Sequence, residues 1–300
     1  MLKVKLLSFL TICLLVVGAA QAQQPNPTPT PHVELLVPQT PGYPHDPTAY
    51  TQGLLLHEGF LYESTGLYRE SSLRRVDVTT GEVLQRFDVT RANLAARGWL
   101  EQVEAACTLT SVDDGFAQGE IFAEGLALVD NRLIQLTWRE ECALVYDLET
   151  FDLIDVIRYD DTPDQIDQGW GLCYDGERLI MSDGSDQLYF RDAQTFERIG
   201  AVTVTYAGQP LPRLNELECV DGFVYANIYQ RPYIVRIEAE TGIINGIVSV
   251  TNMLTPEEQV GIDVLNGIAH VPGTDRFLIT GKNWSRLFEV RFVPVTQQPF

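Results

Sequence analysis

The chain has 300 residues, of which 45% are hydrophobic, and a formal net charge of −20. Such an acidic balance argues against nucleic acids and anionic membranes as binding partners. The length allows a large hydrophobic core and is compatible with one all-β domain, although length alone suggests two.

The N-terminus has the features of a cleavable signal peptide. Lys3 and Lys5 precede an apolar stretch that ends at the small-residue site Ala20-Gln21-Ala22. We therefore predict a signal peptide at 1–22, export to the periplasm or the medium, and a proline-rich linker at 23–31. An uncleaved membrane anchor is the alternative, but the apolar stretch is shorter than the roughly 20 residues that a spanning helix needs.

Cysteines outside the signal peptide number four: Cys107, Cys142, Cys173 and Cys219. In an exported chain an even number suggests two disulfides, although three pairings are possible and four buried thiols are the alternative. None of these cysteines has CxxC spacing, so the sequence does not support a zinc ribbon or a thioredoxin-like site.

Downstream of the linker the chain repeats one short pattern. Each copy has a polar or aromatic residue, usually followed by Gly, then Leu or Ile, with a turn five or six residues later. The copies are TQGLLLHEG, AEGLALVDN, GWGLCYDG, LNELECVDG and LNGIAHVPG, and their leading residues are Gln52, Glu124, Trp170, Asn215 and Asn266. Their intervals of 72, 46, 45 and 51 residues fit propeller blades of about 40 to 45 residues if the first interval holds an insertion.

The remaining runs agree with a five-bladed β-propeller at 32–294. Short β-branched and aromatic runs follow each copy and are separated by Asp-Gly, Thr-Gly and Asp-x-x-Thr-Phe turns. The last unit lacks a fourth strand, and HVELLV at 32–37 is predicted to supply it and close the ring. Helical periodicity is confined to NLAARGWLEQVEAA, inside an insertion at about 91–118 that also carries Cys107.

Two sets of residues should meet at one mouth of the propeller channel, because the first strand of a blade starts where the second ends. The first set is the leading residues. The second lies fourteen residues on, or sixteen in the last blade: Gly66, Trp138, Gly184, Tyr229 and Lys282. An acid, a lysine, carboxamides and aromatic rings together predict a small-ligand pocket. Each residue taken alone has a structural interpretation as a cap or a packing group.

Blade positions also favour one disulfide pairing. Cys173 and Cys219 occupy matching places on neighbouring inner strands, which predicts Cys173–Cys219. Cys107 reaches Cys142 if the insertion folds back on its own blade, which predicts Cys107–Cys142.

The same residues carry a resemblance to a known family. YTQGLL, YESTGLY, AEGLAL, QGWGL, RLNELE, VYANIY, DVLNGIA and ITGKNW resemble, in order from about residue 44 to 292, the plant and bacterial type of glutaminyl-peptide cyclotransferase. The resemblance implies a five-bladed propeller that converts N-terminal glutamine of peptides into pyroglutamate and releases ammonia. It also implies that the following residues stand where the family has its active-site residues: Gln52, Phe122, Glu124, Trp138, Trp170, Asn215 and Lys282.

Three positions depart from the family pattern: Tyr50 replaces Phe, Ala123 replaces Gly, and Tyr229 replaces Trp. Because Tyr229 alters a pocket wall, we expect the departures to affect substrate preference more than chemistry. Asn266 and Tyr229 join the predicted substrate-binding residues through the repeat.

Cyclisation needs a group that takes a proton from the substrate amine and returns it to the departing ammonia. A carboxylate with a pKa raised by burial can do both, and we assign this role to Glu124. Lys282 and the carboxamides are the candidates for holding the developing oxyanion. The scheme uses no cofactor or metal, and the protein is expected to act as a monomer.

Two other functions stay open at this point. A metal-dependent propeller lactonase or hydrolase would gather Glu124, Asn215 and Asn227 around a cation. A binding propeller without catalysis would share the fold, since fold alone does not fix function.

Overall fold

The computed structural model describes residues 32–38, 41–109, 119–159 and 168–294. The predicted signal peptide at 1–22 and the linker at 23–31 lie outside the described residues, as does the last part of the insertion. Among the residues described, no helix is long and apolar enough to cross a membrane.

Five blades follow one another along the chain. The N-terminal strands are β1 (His32–Pro38) and β2 (Tyr43–Pro44). Blade 1 is β3 (Thr51–His57), β4 (Phe60–Thr65), β5 (Ser72–Asp77) and β6 (Val83–Asp88). The insertion then forms α1 (Arg91–Ala96) and α2 (Leu100–Ala106). Blade 2 is β7 (Ala123–Val129), β8 (Arg132–Thr137), β9 (Cys142–Asp147) and β10 (Leu153–Arg158).

The second half continues the pattern. Blade 3 is β11 (Leu172–Tyr174), β12 (Arg178–Ser182), β13 (Gln187–Asp192) and β14 (Arg198–Thr203), followed by the hairpin β15 (Thr205–Tyr206) and β16 (Gln209–Pro210). Blade 4 is β17 (Leu214–Val220), β18 (Phe223–Ile228), β19 (Tyr233–Glu238) and β20 (Ile244–Ser249). Blade 5 contains β21 (Leu265–His270), β22 (Arg276–Gly281) and β23 (Arg286–Pro294).

The predicted Asp-x-x-Thr turns connect the third and fourth strands of the first three blades. In each turn the Asp Oδ1 accepts hydrogen bonds from the backbone N–H groups two and three residues on and from the Thr hydroxyl. The residue after Thr has a positive φ, from 58° at Phe151 to 71° at Gly81. These side-chain hydrogen bonds replace the backbone hydrogen bonds between strands and stabilise the turn at which the chain reverses direction.

The N-terminal strand completes the last blade, as the sequence predicts. β1 pairs antiparallel with β23, with Leu36 opposite Phe292. It also pairs in parallel with β20, with Val33 opposite Ile247. Blades 4 and 5 therefore form one continuous sheet, and an otherwise open edge of blade 5 is covered.

The hydrophobic core is divided among the contacts between neighbouring blades. One cluster fills each contact around the ring, for example Leu133 and Leu144 between blades 1 and 2 and Ile268 and Ile279 between blades 4 and 5. Val103 of α2 joins the first cluster, so the insertion packs against blades 1 and 2.

Both predicted disulfides form. Cys107–Cys142 joins the end of α2 to β9, which fixes the insertion on its own blade. Cys173–Cys219 joins the inner strands β11 and β17 of blades 3 and 4. Of the three possible pairings of the four cysteines, the protein thus forms the one that the blade positions predicted.

Glycine after the leading residue lets neighbouring inner strands approach closely. A Cβ on Gly125 would lie 2.6 Å from the backbone nitrogen of Leu172, and a Cβ on Gly171 would lie 2.0 Å from the carbonyl oxygen of Asn215. A side chain at either position would push apart the strands that carry the predicted site.

Candidate active site

Leading residues of four blades sit at β-bulges. The pairing of the first two strands shifts register around Gln52, Glu124, Asn215 and Asn266. A bulge bends its strand and redirects a side chain. In blade 3, Trp170 lies two residues before the start of β11, and its backbone N–H donates to the carbonyl oxygen of Ser182 at 3.0 Å.

Eight of the nine predicted catalytic and substrate-binding residues line one pocket of about 240 Å³. They are Gln52, Phe122, Glu124, Trp138, Trp170, Asn215, Tyr229 and Lys282, and Tyr50 and Leu67 complete the lining. Asn266 does not line this pocket. Its Nδ2 donates to the carbonyl oxygen of Thr51 at 2.9 Å and to Gln52 Oε1 at 3.3 Å, so it lies behind Gln52 and orients that side chain.

Glu124 is the carboxylate of this pocket and is only 5% exposed. Its Oε1 accepts a hydrogen bond from Gln52 Nε2 at 2.9 Å. Burial raises the pKa of Glu124 well above 4.5, the charge of Lys282 opposes that rise, and the charge of Glu140 adds to it. A carboxyl group in such surroundings holds a proton more readily than an exposed carboxyl group does.

Lys282 lies between two aromatic rings of the pocket. Its Nζ is 4.7 Å from the ring centre of Tyr50 and 5.5 Å from that of Tyr229, distances at which a cation is attracted to a ring face. Burial lowers the pKa of Lys282, whereas the charges of Glu124 and Asp263 raise it. The ammonium group can donate to an oxygen that develops negative charge.

Aromatic side chains form the walls. Phe122 contacts Trp138 edge to face, with ring centres 5.4 Å apart, and Trp170 contacts Tyr229 at 5.3 Å. One residue fixes both tryptophans, since Gln168 Oε1 accepts a hydrogen bond from Trp138 Nε1 at 2.7 Å and from Trp170 Nε1 at 3.0 Å.

Sequence reasoning missed Gln168, because it precedes the repeated pattern of blade 3 and has no counterpart in the other copies. The available signal was a glutamine two residues before a tryptophan that was already assigned to the pocket.

Asn215 adds a polar group whose acceptor has no protein partner. Its side chain is 2% exposed, and among the described residues its Oδ1 accepts no hydrogen bond. Its backbone carbonyl accepts from Ser182 Oγ at 2.7 Å, which fixes the chain at this point. A buried acceptor without a partner is costly unless a ligand supplies the donor, so Asn215 is suited to bind a substrate N–H group.

Two further buried carboxyl groups flank the pocket residues, and sequence reasoning did not assign either. Glu140 Oε2 accepts from the backbone N–H of Phe122 at 3.4 Å, and burial raises the pKa of Glu140 to about 7. Glu216 Oε2 accepts from the backbone N–H of Ile268 at 2.8 Å and its Oε1 from that of Leu54 at 3.3 Å, so it ties blade 4 to blades 5 and 1.

In the described parts of the chain, no group of three or more His, Cys, Asp or Glu side chains is arranged to hold a metal ion. Asn227, which the metal-dependent alternative requires as a ligand, has its Oδ1 bonded to the backbone N–H of Gly267 at 2.9 Å. That acceptor is already occupied by a neighbouring blade.

Comparisons with known proteins place this pocket in a family context. The family model described as glutamine cyclotransferase matches residues 9–292. A glutaminyl-peptide cyclotransferase of Arabidopsis thaliana is 34% identical over 255 residues, which cover 83% of this chain and 69% of that relative. The crystal structure of Myxococcus xanthus glutaminyl cyclase superimposes with a TM-score of 0.70 at 33% identity, and covers 89% of this chain and 100% of its own.

Proposed function

The chain belongs to the glutamine cyclotransferase family, and from this premise we propose how its pocket turns an N-terminal glutamine into pyroglutamate. The enzyme acts on peptides or proteins whose first residue is glutamine. The assignment of roles to individual side chains is our proposal. The observation that carries it is Glu124, a buried carboxyl group held by Gln52 between aromatic walls.

The first step forms the ring. The substrate α-amine nitrogen attacks the carbon of its own side-chain carboxamide, a new C–N bond forms, and the carbonyl oxygen becomes an oxyanion. The Glu124 carboxylate accepts the proton that the amine loses. Lys282 donates to the oxyanion, and its charge is effective because the lysine is only 3% exposed and is therefore weakly screened by water.

The second step releases ammonia. The Glu124 carboxyl group returns its proton to the amide nitrogen, the old C–N bond breaks, and the carbonyl is restored. The raised pKa of Glu124, caused mainly by burial, suits a group that must accept and then donate a proton.

The aromatic walls favour the reaction by holding the glutamine in a folded conformation. Phe122, Trp138 and Trp170 surround the place where the side chain must curl back toward its amine. Holding nucleophile and carbonyl together removes much of the entropy of ring closure from the barrier.

A peptide assay tests the proposal. Purified protein is incubated with a Gln-initiated peptide and with the same peptide acetylated at its amine, and mass spectrometry follows the loss of one ammonia. We expect the loss only from the peptide with an open amine. Glu124→Gln should lower the rate about 10²- to 10⁴-fold with an unchanged circular dichroism spectrum. Activity within a few-fold of wild type would contradict the role of Glu124.

Metal analysis of the active protein separates this proposal from the hydrolase alternative. The cyclase scheme predicts full activity after dialysis against a chelator, whereas a lactonase that needs a cation would lose its activity.

Cellular location and assembly are also part of the proposal. Two disulfides are typical of proteins that fold in an oxidising compartment. Together with the N-terminal signal pattern they support export of the propeller domain at 32–294. We expect the exported protein to act as a monomer. Fractionation of the host and light scattering of the purified protein test these statements.

A further inference from the structure

An apolar groove lies beside the pocket, between blades 3 and 4, with a volume of about 580 Å³. Its lining includes Tyr206, Leu211, Ile228, Tyr233 and Ile247. Tyr206 and Tyr233 are 42% and 41% exposed, so both rings offer apolar surface to a ligand. Apolar surface of this kind, with polar residues at its rim, often marks a binding site.

The groove and the pocket share two chain segments. Ile228 lines the groove and its neighbour Tyr229 lines the pocket, while Arg213 lines the groove and Asn215 lines the pocket. The Tyr229 N–H donates to the carbonyl oxygen of Arg213 at 2.9 Å, which holds the two segments side by side. Two residues of extended chain span about 7 Å. A peptide whose first residue is in the pocket therefore reaches the groove with its third to fifth residues.

The charge of the groove is opposite to that of the molecule. Two arginines line it, Arg213 and Arg231, and both are exposed. No Asp or Glu is among the described residues that line it, although the chain as a whole has a net charge of −20. A peptide that carries a carboxylate is attracted here and repelled by most of the remaining surface.

We propose that this groove is a subsite for peptide substrates, which binds an apolar side chain at the third to fifth residue and a neighbouring carboxylate. The apolar side chain packs against Tyr233 and Tyr206, and the carboxylate pairs with Arg231 or Arg213. The inference rests on the proposed function, because the first residue of the peptide must occupy the pocket.

The test compares three substrates. Glutaminyl-alaninamide fills only the pocket. Two longer peptides begin with Gln-Ala-Ala and continue with either Leu-Glu or Ser-Gln. We expect wild-type kcat/KM to be about tenfold higher for the Leu-Glu peptide than for the Ser-Gln peptide, because a buried Leu side chain and a paired carboxylate both contribute.

Variants assign the preference to the groove. Tyr233→Ser and Arg231→Glu should each remove most of it and leave kcat/KM for glutaminyl-alaninamide within twofold of wild type. Arg291→Glu is the matched charge control, since this exposed arginine pairs with Asp275 at the far end of blade 5. We expect Arg291→Glu to keep the preference.

Three results overturn the subsite. The first is equal kcat/KM for the two longer peptides in the wild type. The second is a parallel loss for all three substrates in the groove variants. The third is a groove variant that has lower thermal stability but keeps the preference for the Leu-Glu peptide. That result would mean that the groove binds a segment of this chain, such as 23–31, and not the substrate. Failure of every substrate to cyclise would instead contradict the proposed function.

Discussion

At the scale of single residues, the pocket shifts the pKa values of Glu124 and Lys282 toward each other. Burial raises the pKa of Glu124 and lowers that of Lys282, and the attraction between their charges partly opposes both shifts. Catalysis by proton transfer is most effective when the pKa of the catalytic group is close to the working pH.

Replacing Lys282 by Met should separate its role from that of Glu124. We expect kcat to fall about 10²- to 10³-fold, as for loss of one oxyanion donor. The acidic limb of the pH profile should remain and move to higher pH, because the lysine charge lowers the pKa of Glu124. Initial-rate measurements across pH check both effects, and a limb that vanished would mean that Lys282 is the titrating base.

Replacing Gln168 by Leu should loosen both tryptophans. The variant loses the hydrogen bonds that Trp138 Nε1 and Trp170 Nε1 donate to Gln168, so packing alone holds the two rings. We expect kcat/KM to fall about tenfold or more through misplacement of the folded glutamine. Gln194→Leu, on an exposed turn of blade 3, is the matched control and should be silent. Equal activity in both variants would mean that ring packing alone positions the tryptophans.

The repeated pattern predicted which residues line the pocket better than it predicted their partners. Glu124, Trp170 and Asn215 follow from one rule, because every blade places its leading residue at the start of its inner strand, in four blades at a β-bulge. Asn266 obeys the rule but lies behind Gln52, because its amide bonds to the neighbouring strand. Gln168 and Glu140 depend on contacts between a loop and a blade, and such contacts leave no periodic trace in the sequence.

At the scale of elements, strands were more predictable than the insertion. Strand positions follow from alternating apolar residues and from turns such as those at Asp77 and Asp147, which form from local bonds. The insertion forms two short helices. Thr90 caps the N-terminus of α1, because its hydroxyl accepts a hydrogen bond from the N–H of Asn93. Their packing on blade 2 depends on Val103 and on Cys107, which contact residues far along the chain.

Removing the Cys107–Cys142 disulfide should destabilise the attachment of the insertion. The bridge closes a loop with a sequence separation of 35 residues. We expect the double variant Cys107→Ala/Cys142→Ala to lose about 2 to 4 kcal/mol of unfolding free energy in urea. Reducing the wild type should lower the urea midpoint further, because it also breaks Cys173–Cys219. An unchanged midpoint in the double variant would show that α2 stays packed without the bridge.

For the whole molecule, the ring closes through a buried ionic network as well as through β1. His45 Nε2 lies 3.0 Å from Glu63 Oε1 of blade 1, and His45 Nδ1 lies 2.7 Å from the carbonyl oxygen of Trp284, in the turn between β22 and β23 of blade 5. Both ring nitrogens face acceptors, so the doubly protonated imidazolium fits this position. Burial lowers the pKa of His45, but the charge and hydrogen bond of Glu63, the hydrogen bond to Trp284 and the charge of Asp46 together outweigh burial and raise the pKa above 6.5.

The pair makes stability depend on pH in a defined window. Burial raises the pKa of Glu63, but His45, the charge of Arg74 and the hydrogen bond from Thr51 together outweigh burial, and the pKa falls below 4.5. The contribution of His45 to the free energy of unfolding is complete below pH 6.5, and it is lost as the pH rises through the pKa of His45 in the folded protein. The contribution of Glu63 to the free energy of unfolding is complete above pH 4.5, and it is lost as the pH falls through the pKa of Glu63 in the folded protein.

We therefore expect His45→Gln to destabilise the protein most between pH 4.5 and 6.5. The loss should be about 3 kcal/mol, because Arg74 remains 3.8 Å from the unpaired Glu63 carboxylate. Urea unfolding at several pH values measures it, with His57→Gln as the control for loss of a histidine. A destabilisation that does not vary with pH would mean that His45 is neutral in the folded protein.

The most direct test of the account is the ratio of kcat/KM between wild type and Glu124→Gln as a function of pH. Titration of the substrate amine affects both enzymes equally and cancels in the ratio. If Glu124 shuttles the proton, the ratio is constant at high pH and falls about tenfold per pH unit below a pKa well above 4.5. A ratio that stays constant across the whole pH range would contradict the account, because Glu124 would then contribute to the structure and not to proton transfer.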